Sequence, residues 1–316
     1  MSESGFEQAH QVCMRILQNI ENVIIGKREV IEEILVALLA NGHILLEDVP
    51  GVGKTMLAKA LALSIGGNFA RIQFTPDLMP SDVTGVSIYD QRTASFRFRK
   101  GPVFANVLLA DEINRANPRT QSALLEGMEE RQVTADGETY PLPQPFAVIA
   151  TENPVEYEGV YVLPESQLDR FMLRISIGYP SAPDEKAVVK TQLEGHPIDD
   201  LQAVCEPADV LRLQSVTASC HVDEAVYDYI LEIVGRTRES EQLQLGASPR
   251  GTLALVRTGQ ALATLQGRDF VSPDDIKRLA VSALAHRMLL APQARLGDTH
   301  TAGIVNNIID EVTVPV

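Results

Sequence analysis

The sequence contains no tryptophan and little cysteine. Its three cysteines, Cys13, Cys205 and Cys220, are far apart and have the spacing of neither a metal site nor a redox motif. They indicate a reducing, cytoplasmic compartment. No apolar run approaches the roughly 18 residues of a membrane helix, so we expect no membrane insertion. The polar, acidic N-terminus also lacks the basic and apolar segments of a secretory signal.

Positive charge is also scarce. The 27 lysines and arginines are outnumbered by 42 acidic residues, which gives a formal net charge of −15 at pH 7. This balance opposes a large nucleic-acid footprint, although a local basic patch could survive within it. The six histidines form no metal-ligand pair. With 316 residues and 45% hydrophobic content, the chain can bury a substantial core divided between two domains.

A glycine-rich turn lies between a predicted strand and a predicted helix near residue 50. The apolar run GHILL (residues 42–46) is typical of a buried parallel strand. The segment MLAKALALSI has good helix formers and ends at Gly66-Gly67, a typical C-terminal stop. In this context the turn predicts a P-loop, the phosphate-binding turn of many nucleotide-binding proteins. Its residues are Pro50, Gly51, Val52, Gly53, Lys54, Thr55 and Met56.

The residues of this turn have the chemistry of a nucleotide site. Gly51 and Gly53 would let backbone N–H groups close around phosphate oxygens at the positive end of the helix. Lys54 would reach the β- and γ-phosphates, and the Thr55 hydroxyl would ligate Mg²⁺. Asp48 replaces the first glycine of the full pattern, but Asp tolerates unusual turn dihedrals, so we expect the loop to close. The alternative is an ordinary strand–turn–helix connection.

A second apolar strand ends in two adjacent carboxylates, Asp111 and Glu112, within ANVLLADEINRA (residues 105–116). Asp111 would hold Mg²⁺ through water, and Glu112 would activate the attacking water. Such a pair is often only a solvated strand end. Downstream of a P-loop, in a chain of alternating strands and helices, it predicts a Walker B motif.

A third apolar strand, in FAVIATENP, ends at Thr151-Glu152-Asn153. The Asn153 side chain would hydrogen-bond the γ-phosphate or the attacking water. The alternative is a structural Asx turn before Pro154.

With these motifs, the sequence resembles the AAA+ ATPases, and more closely the MoxR family within them. The resemblance extends over nearly the whole chain from VIIGK (residues 23–27), and is most specific in LLADEINRANPRTQSALLEGMEERQVT and IATENPVEYEGVYVLPESQLDRF. It implies a chaperone-like, Mg²⁺- and ATP-dependent factor for remodelling, maturation or metal-cofactor assembly of partner proteins. It also implies a homo-oligomer, working as a hexameric ring, and partners that carry von Willebrand factor A domains.

The resemblance also implies roles for residues outside the P-loop and Walker B. Asn153 matches sensor 1, Arg170 in LDRF matches the arginine finger, and Arg250 in GASPRG matches sensor 2. Ile25 and Gly26 match the contacts of the adenine pocket.

The sequence alone leaves alternatives for these arginines. Arg170 could make a structural ion pair, with Asp169 as a candidate partner, and Arg115 and Arg174 are rival fingers. As a finger, Arg170 would neutralise charge developing on the γ-phosphate across a subunit boundary. Arg250, at the start of a helix, would couple the lid angle to the nucleotide state or have a surface role.

Two segments are predicted to be inserted β-hairpins. The first, residues 86–104, contains Phe96-Arg97-Phe98-Arg99, whose alternation places apolar and basic side chains on opposite faces. The second, residues 130–142, has Asp136-Gly137 between strand-like runs, a strong hairpin signal. One interpretation is that both hairpins are solvated edge ribbons. The other is that they contact a substrate or the central surface of a ring.

These patterns predict an α/β fold with two domains. Residues 1–182 would form a P-loop AAA+ core, with a parallel sheet flanked by helices and with inserted hairpins. Residues 183–316 would form a small all-α lid. One lid helix has Ser272 as its N-cap, Pro273 at its first position and Asp275 in its first turn.

The function that these inferences favour is ATP hydrolysis that drives conformational work on a protein partner. One alternative is a nucleotide-gated motor acting on nucleic acid, which the net acidity makes less favoured. Another is a chelatase-type motor subunit, which would share the core but serve a metal-insertion partner.

Overall fold

A central parallel sheet organises the chain in the computed structural model, which describes residues 3–153, 161–297 and 299–315. The strands are β1 Ile44–Glu47, β2 Phe69–Gln73, β3 Gly85–Asp90, β4 Ser95–Lys100, β5 Val107–Asp111, β6 Gln132–Ala135, β7 Glu138–Pro141, β8 Ala147–Glu152, β9 Leu173–Ile175, β10 Leu243–Leu245 and β11 Leu289–Leu290. Five of them form the sheet in the order β2–β5–β8–β1–β9, and each neighbouring pair is parallel.

Helices cover both faces of this sheet. The α-helices of the described residues are α1 Glu3–Glu21, α2 Arg28–Leu39, α3 Lys54–Ser64, α4 Pro80–Thr84, α5 Pro118–Glu130, α6 Glu165–Leu168, α7 Ala182–Glu194, α8 Pro207–Ala218, α9 Glu224–Glu239, α10 Pro249–Leu265, α11 Pro273–Leu284 and α12 Thr301–Glu311. Gly66, at a φ of 62°, follows the end of α3, where the stop was predicted.

The strands are apolar along their length because both faces of the sheet are buried. Leu46 and Leu109 belong to a hydrophobic cluster with α1, α2, α3 and the C-terminal helices α8 to α12. Leu45 and Leu108, one position earlier, point to the other face and belong to a second cluster with α5. The predicted parallel sheet flanked by helices is therefore confirmed.

The C-terminal region is helical and shares the first cluster with the N-terminal helices. It also contains a short antiparallel pair, β10 with β11, which the sequence pattern did not reveal because two or three residues show no periodicity. Helix α7 begins at Ala182, and we retain residue 182 as the proposed domain boundary. No helix in the described part of the chain is long and apolar enough to cross a membrane.

The two predicted hairpins are present, as β3–β4 and β6–β7. Arg97 and Arg99 lie on one face of the first hairpin, where Ile88 and Val86 are their cross-strand partners. Phe98 lies on the opposite face and stacks on Tyr140 of the second hairpin, with ring centroids 4.3 Å apart. The face that carries Arg97 and Arg99, called the outer face here, therefore combines basic side chains with the apolar Val86 and Ile88.

One buried arginine joins the C-terminal region to the sheet. Arg287 follows α11 and its side chain is only 2% exposed. It forms an ion pair with the carboxylate of Asp169 and donates to the carbonyl oxygens of Asp169 at 2.6 Å and Phe171 at 2.5 Å. A third bond runs to the carbonyl of Ala283 in α11, at 2.7 Å. Arg287 thus supplies hydrogen bonds to the buried acceptor groups of the segment that leads into β9.

We expect Arg287→Ala to lower the free energy of unfolding by about 3–5 kcal/mol, because it leaves the largely buried Asp169 carboxylate without its cationic partner. Denaturant unfolding measures this. The matched control is Arg236→Ala, whose ion pair with Glu232 leaves both side chains nearly half exposed. That change should cost less than about 1 kcal/mol. Equal losses in the two variants would contradict a stabilising role for the buried pair.

Candidate nucleotide site

The parallel sheet brings three of the predicted motifs to one edge. The P-loop follows β1, Asp111 and Glu112 stand at the end of β5, and Asn153 follows β8. Because β1, β8 and β5 are consecutive neighbours in the sheet, their carboxyl ends lie side by side. This is the edge at which open α/β sheets bind ligands.

The glycines of the P-loop have the left-handed backbone conformation that glycine adopts readily. Gly51 and Gly53 have φ values of 87° and 92°, which favour glycine. A Cβ atom built on either would meet nothing within 4 Å, so both face open space. Helix α3 starts at Lys54, and its first turn leaves backbone N–H groups without intrahelical partners. Such a turn fits a phosphate group.

Lys54 lies at the centre of this loop. Its Nζ donates to the carbonyl oxygen of Asp48 at 2.5 Å. Burial lowers the pKa of Lys54, and the negative charges of Asp48, Asp111 and Glu112 oppose that shift. A partly buried ammonium favours an anionic ligand that would compensate its charge.

Asp48 closes the loop in a way that the sequence did not predict. The tolerance of Asp for unusual dihedrals is not what closes the loop, because the φ of Asp48 is not positive. Instead, its Oδ2 accepts hydrogen bonds from the backbone N–H groups of Ile177 and Gly178, both at 2.6 Å, and from the Ser176 hydroxyl at 3.2 Å. Oδ1 accepts from the N–H of Val49 at 2.8 Å. The side chain is 6% exposed and ties the P-loop to the segment after β9.

Thr151 connects the two acidic residues of the predicted Walker B motif. Its hydroxyl donates to Oδ1 of Asp111 at 2.7 Å and accepts from the backbone N–H of Glu112 at 2.8 Å. Arg71 of β2 forms an ion pair with Oδ2 of Asp111, also at 2.7 Å. Both oxygens of Asp111 are therefore oriented by neighbouring strands.

Glu112 is held in a strained conformation. Its φ of 56° and ψ of 52° lie in the left-handed region, which costs a non-glycine residue about 1–2 kcal/mol. Gln73 at the end of β2 donates to its Oε2 at 2.7 Å, and Arg115 pairs with the same oxygen at 3.0 Å. Strain of this kind is typical of functional sites. The carboxylate is thus fixed next to Asp111 while its side chain stays partly exposed.

Asn153, which follows β8, is buried at 7% exposure.

The residue before it, Glu152, connects the end of β8 to the P-loop. Its carbonyl oxygen accepts a hydrogen bond from the backbone N–H of Asp48 at 3.2 Å. Burial and the nearby charge of Glu47 raise the pKa of Glu152 to about 7, and Arg174 opposes that shift. The alternative Asx turn before Pro154 falls in part on residue 154, which lies outside the described residues.

The predicted adenine contacts lie where the core meets α7. Gly26 has a φ of 71°, and a Cβ there would come within 2.3 Å of the Asp184 carboxylate in α7. Next to it, Lys27 Nζ donates to the carbonyl of Tyr179 at 2.8 Å. Ile25 is half-buried in the same turn. The positive φ favours glycine at position 26, and a larger residue would also displace the Asp184 side chain.

The structure places Arg170 and Arg250 away from these residues. Arg170 precedes β9, so it lies at the amino edge of the sheet. Together with Arg250 it lines a cavity of about 240 Å³ that also includes His43, the residue before β1. The sheet strands of three to six residues separate the two edges by roughly 10–20 Å, at about 3.3 Å per residue. Neither arginine is brought to the P-loop of its own chain.

The alternative of an ion pair at Arg170 is present within the chain, but the candidate partner Asp169 is not the residue that forms it. Arg170 pairs with Glu129 of α5 at 2.8 Å and donates to the carbonyl of Leu125 at 2.8 Å. Asp169 is occupied by Arg287 instead. Of the rival fingers, Arg115 contacts Glu112 in its own chain, and Arg174 pairs with Glu47 at 3.1 Å.

Sequence reasoning missed Arg71, Gln73 and Thr151, which orient the acidic pair. The polar residues Arg71 and Gln73 flank Ile72 with the period of a strand, and this alternation was the available signal. Thr151 had no signal apart from its place at the end of an apolar strand.

Comparison with known proteins agrees with this geometry. Residues 43–173 match the ATPase family associated with various cellular activities (AAA), and residues 235–308 match the AAA lid domain. The chain is 52% identical over 310 residues to the uncharacterized protein YeaC of Bacillus subtilis, covering 98% of this chain and 97% of the relative. It is 42% identical over 310 residues to Chaperone MoxR1 of Mycobacterium tuberculosis, covering 95% and 82%.

A solved structure shows the same fold. The crystal structure of a candidate ATPase from Cytophaga hutchinsonii superposes with a TM-score of 0.93 at 38% sequence identity. The match covers 99% of this chain and 98% of that one. The similarity therefore includes both the sheet and the C-terminal helices.

We expect Asp48→Gly, which restores the usual P-loop residue, to lower rather than raise the free energy of unfolding. The loss should be about 2–4 kcal/mol, because buried backbone N–H groups lose a charged acceptor. Denaturant unfolding checks this, with Asp48→Asn as the control, since it keeps one acceptor and should lose less. Unchanged stability of the glycine variant would show that the Asp48 contacts do not hold the loop.

Proposed function

Because the chain belongs to the MoxR family of AAA+ ATPases, we propose that it binds and hydrolyses ATP and uses the energy to remodel partner proteins. The observation that carries this proposal is the convergence at one sheet edge of an open glycine loop, the partly buried Lys54 and the Asp111–Glu112 pair. These are the parts that phosphoryl transfer to water requires.

The phosphate-binding groups come from the P-loop. Backbone N–H groups around Gly51 and Gly53 would surround phosphate oxygens, and Lys54 would compensate their charge. Thr55 and Asp111 would hold Mg²⁺, which supplies charge neutralisation at the phosphates when bound. Two protein ligands suit this ion, because Mg²⁺ usually keeps several waters. Ile25 and Gly26 would contact the adenine.

The hydrolytic groups come from β5 and β8. Glu112 would accept a proton from the attacking water, and its bonds to Gln73 and Arg115 fix where its Oε2 lies before the nucleotide arrives. Asn153, two residues after Thr151, would orient the water or the γ-phosphate. The preorganised carboxylate avoids part of the reorganisation cost during reaction.

Arg170 and Arg250 would complete the site of a neighbouring copy. Their place at the amino edge of the sheet favours action between subunits over action within one chain. A homo-oligomer, such as the hexameric ring implied by the resemblance, would align one subunit's amino edge with the next subunit's nucleotide. An arginine delivered in this way stabilises the charge of the transition state.

The client is proposed to be a protein, met in the cytoplasm. One relative is named a chaperone, and the outer face of the β3–β4 hairpin presents Val86 and Ile88 beside Arg97 and Arg99. Mixed apolar and basic side chains suit a protein segment better than a phosphate backbone, and the net charge of −15 also opposes nucleic acid. A partner with a von Willebrand factor A domain is part of the same proposal.

Two substitutions should separate binding from hydrolysis. Lys54→Ala should weaken binding of a non-hydrolysable ATP analogue at least tenfold, because the phosphate charge loses its ammonium. Glu112→Gln should bind the analogue normally but slow hydrolysis by about 10²–10⁴-fold, because the general base is lost. Calorimetric titration and phosphate release measure the two effects. Lys59→Ala, on the same helix, is the control and should change neither. Equal loss of binding in both variants would remove Glu112 from this role.

Mixed oligomers test whether Arg170 acts between subunits. Arg170→Ala should bind ATP normally and hydrolyse it slowly, since a finger typically contributes ~10³–10⁵ in rate. Mixing it with Lys54→Ala should restore activity, because some interfaces pair an intact P-loop with an intact Arg170. The control mixture of Lys54→Ala with Thr55→Ala contains no intact P-loop and should stay inactive. If the first pair co-assembles without recovery, Arg170 does not act between subunits, and Arg115 or Arg174 would be examined next.

A further inference from the structure

Two arginines at the amino edge of the sheet share one carboxylate. Oε2 of Glu129 pairs with Nη1 of Arg170 at 2.8 Å, and Oε1 pairs with Nη2 of Arg250 at 2.5 Å. The three side chains come from separate elements. Glu129 lies near the end of α5, Arg170 lies between α6 and β9, and Arg250 lies in the first turn of α10.

The segments that carry the two arginines are joined through Asp169. Ser248, the N-cap of α10, donates to Oδ2 of Asp169 at 2.9 Å, so the start of α10 is tied to the residue before Arg170. Arg287 binds the same aspartate from the other side. The side chain of Arg170 itself is oriented through Nη1, which bonds both Glu129 and the carbonyl of Leu125. Its Nε is buried without a partner among the described residues.

Charge explains why a carboxylate is needed here. The cavity at the amino edge of the sheet is lined by four arginines and two carboxylates. These are Arg170, Arg250, Arg257 and Arg287, with Glu129 and Asp169. Neighbouring guanidinium groups repel each other unless an anion lies between them. Glu129 supplies that anion for two of them, and the surroundings remain positive overall. The cluster can therefore still attract a second, external anion.

We propose that Glu129 is a positioning residue that holds Arg170 and Arg250 side by side, so that both reach the phosphate of a nucleotide bound to a neighbouring copy of this chain. The inference rests on the proposed action of Arg170 between subunits. A phosphate group has several anionic oxygens, which two parallel guanidinium groups can bind together. Without Glu129, the two arginines would separate and present one donor group at a time.

The exposure of the three side chains argues against a mainly stabilising role. Arg170 is 29% exposed, Glu129 38% and Arg250 47%, and ion pairs of such exposure contribute less than about 1 kcal/mol each. The nearby Arg287–Asp169 pair is buried and differs in this respect. Loss of Glu129 should therefore leave the fold intact and change the orientation of the two arginines.

The first test is ATP hydrolysis by Glu129→Gln in the full chain. We expect kcat to fall about 10- to 100-fold, the scale of a small misplacement of a reacting group, with KM and binding of a non-hydrolysable analogue unchanged. Glu130→Gln, an exposed glutamate next in the sequence, is the matched control and should match wild type. Combining Glu129→Gln with Arg170→Ala should add little to the loss caused by Arg170→Ala alone. A wild-type kcat would overturn the inference, and so would a raised kcat, which would identify Glu129 as a latch that withholds the arginines.

The second test separates positioning from a general defect. Mixed with Lys54→Ala, the Glu129→Gln subunits should recover activity, because their P-loops are intact and the partner supplies well-placed arginines. Mixed with Arg170→Ala, they should not recover, because no subunit then offers a complete arginine pair. Failure with Lys54→Ala, under conditions where Arg170→Ala succeeds, would overturn the inference. An inactive wild-type protein would remove the proposed function and this inference together, whereas a normal Glu129→Gln variant in an active enzyme removes this inference alone.

Discussion

All five strands of the central sheet run in the same direction, and the distribution of functional groups depends on this constraint. The carboxyl ends of β1, β5 and β8 meet at one edge and bring the P-loop, Asp111 and Asn153 together. The same parallel arrangement places what precedes β9, including Arg170, at the opposite edge. One chain therefore carries the two halves of the proposed site about a strand length apart. Under the proposed function, a second copy would bring its arginine-bearing half to the phosphate-binding half of the first.

Buried and exposed carboxylates have different roles in this arrangement. Asp48 and Asp169 are largely buried, accept bonds from several donors, and fix loops to the ends of β9. Removing such a partner costs several kcal/mol because an ion or a set of N–H groups is left unsatisfied. Glu112 and Glu129 are partly exposed, and each is shared by two donors. Their contribution to stability is small, so their value lies in the geometry they impose on the groups they touch.

The sequence was sufficient where the determining contacts are local. The P-loop, the acidic pair after β5 and both hairpins depend on residues close in sequence, such as Gly51 and Gly53 or Asp136-Gly137, and their places were predicted. Contacts between segments that are distant in the sequence were not predicted. Asp48 binds residues near 177, Arg287 binds Asp169, and Arg170 pairs with Glu129 rather than its neighbour. Neither composition nor periodicity specifies which of many arginines and carboxylates will meet once the sheet forms.

Through these distant contacts, one end of β9 is bound to the P-loop and the other end is bound to the C-terminal helices. After β9, Ile177 and Gly178 donate to Asp48 in the P-loop, and before β9, Asp169 is bound by Arg287 and precedes Arg170. The strand has only three residues and pairs along its length with β1, which also leads into the P-loop. A displacement of the loop relative to the sheet would therefore strain the Asp48 contacts and act on β9, whose other end carries the proposed finger. A continuous series of contacts through Asp48 and β9 thus runs from the P-loop to the arginine proposed to act in a neighbouring subunit.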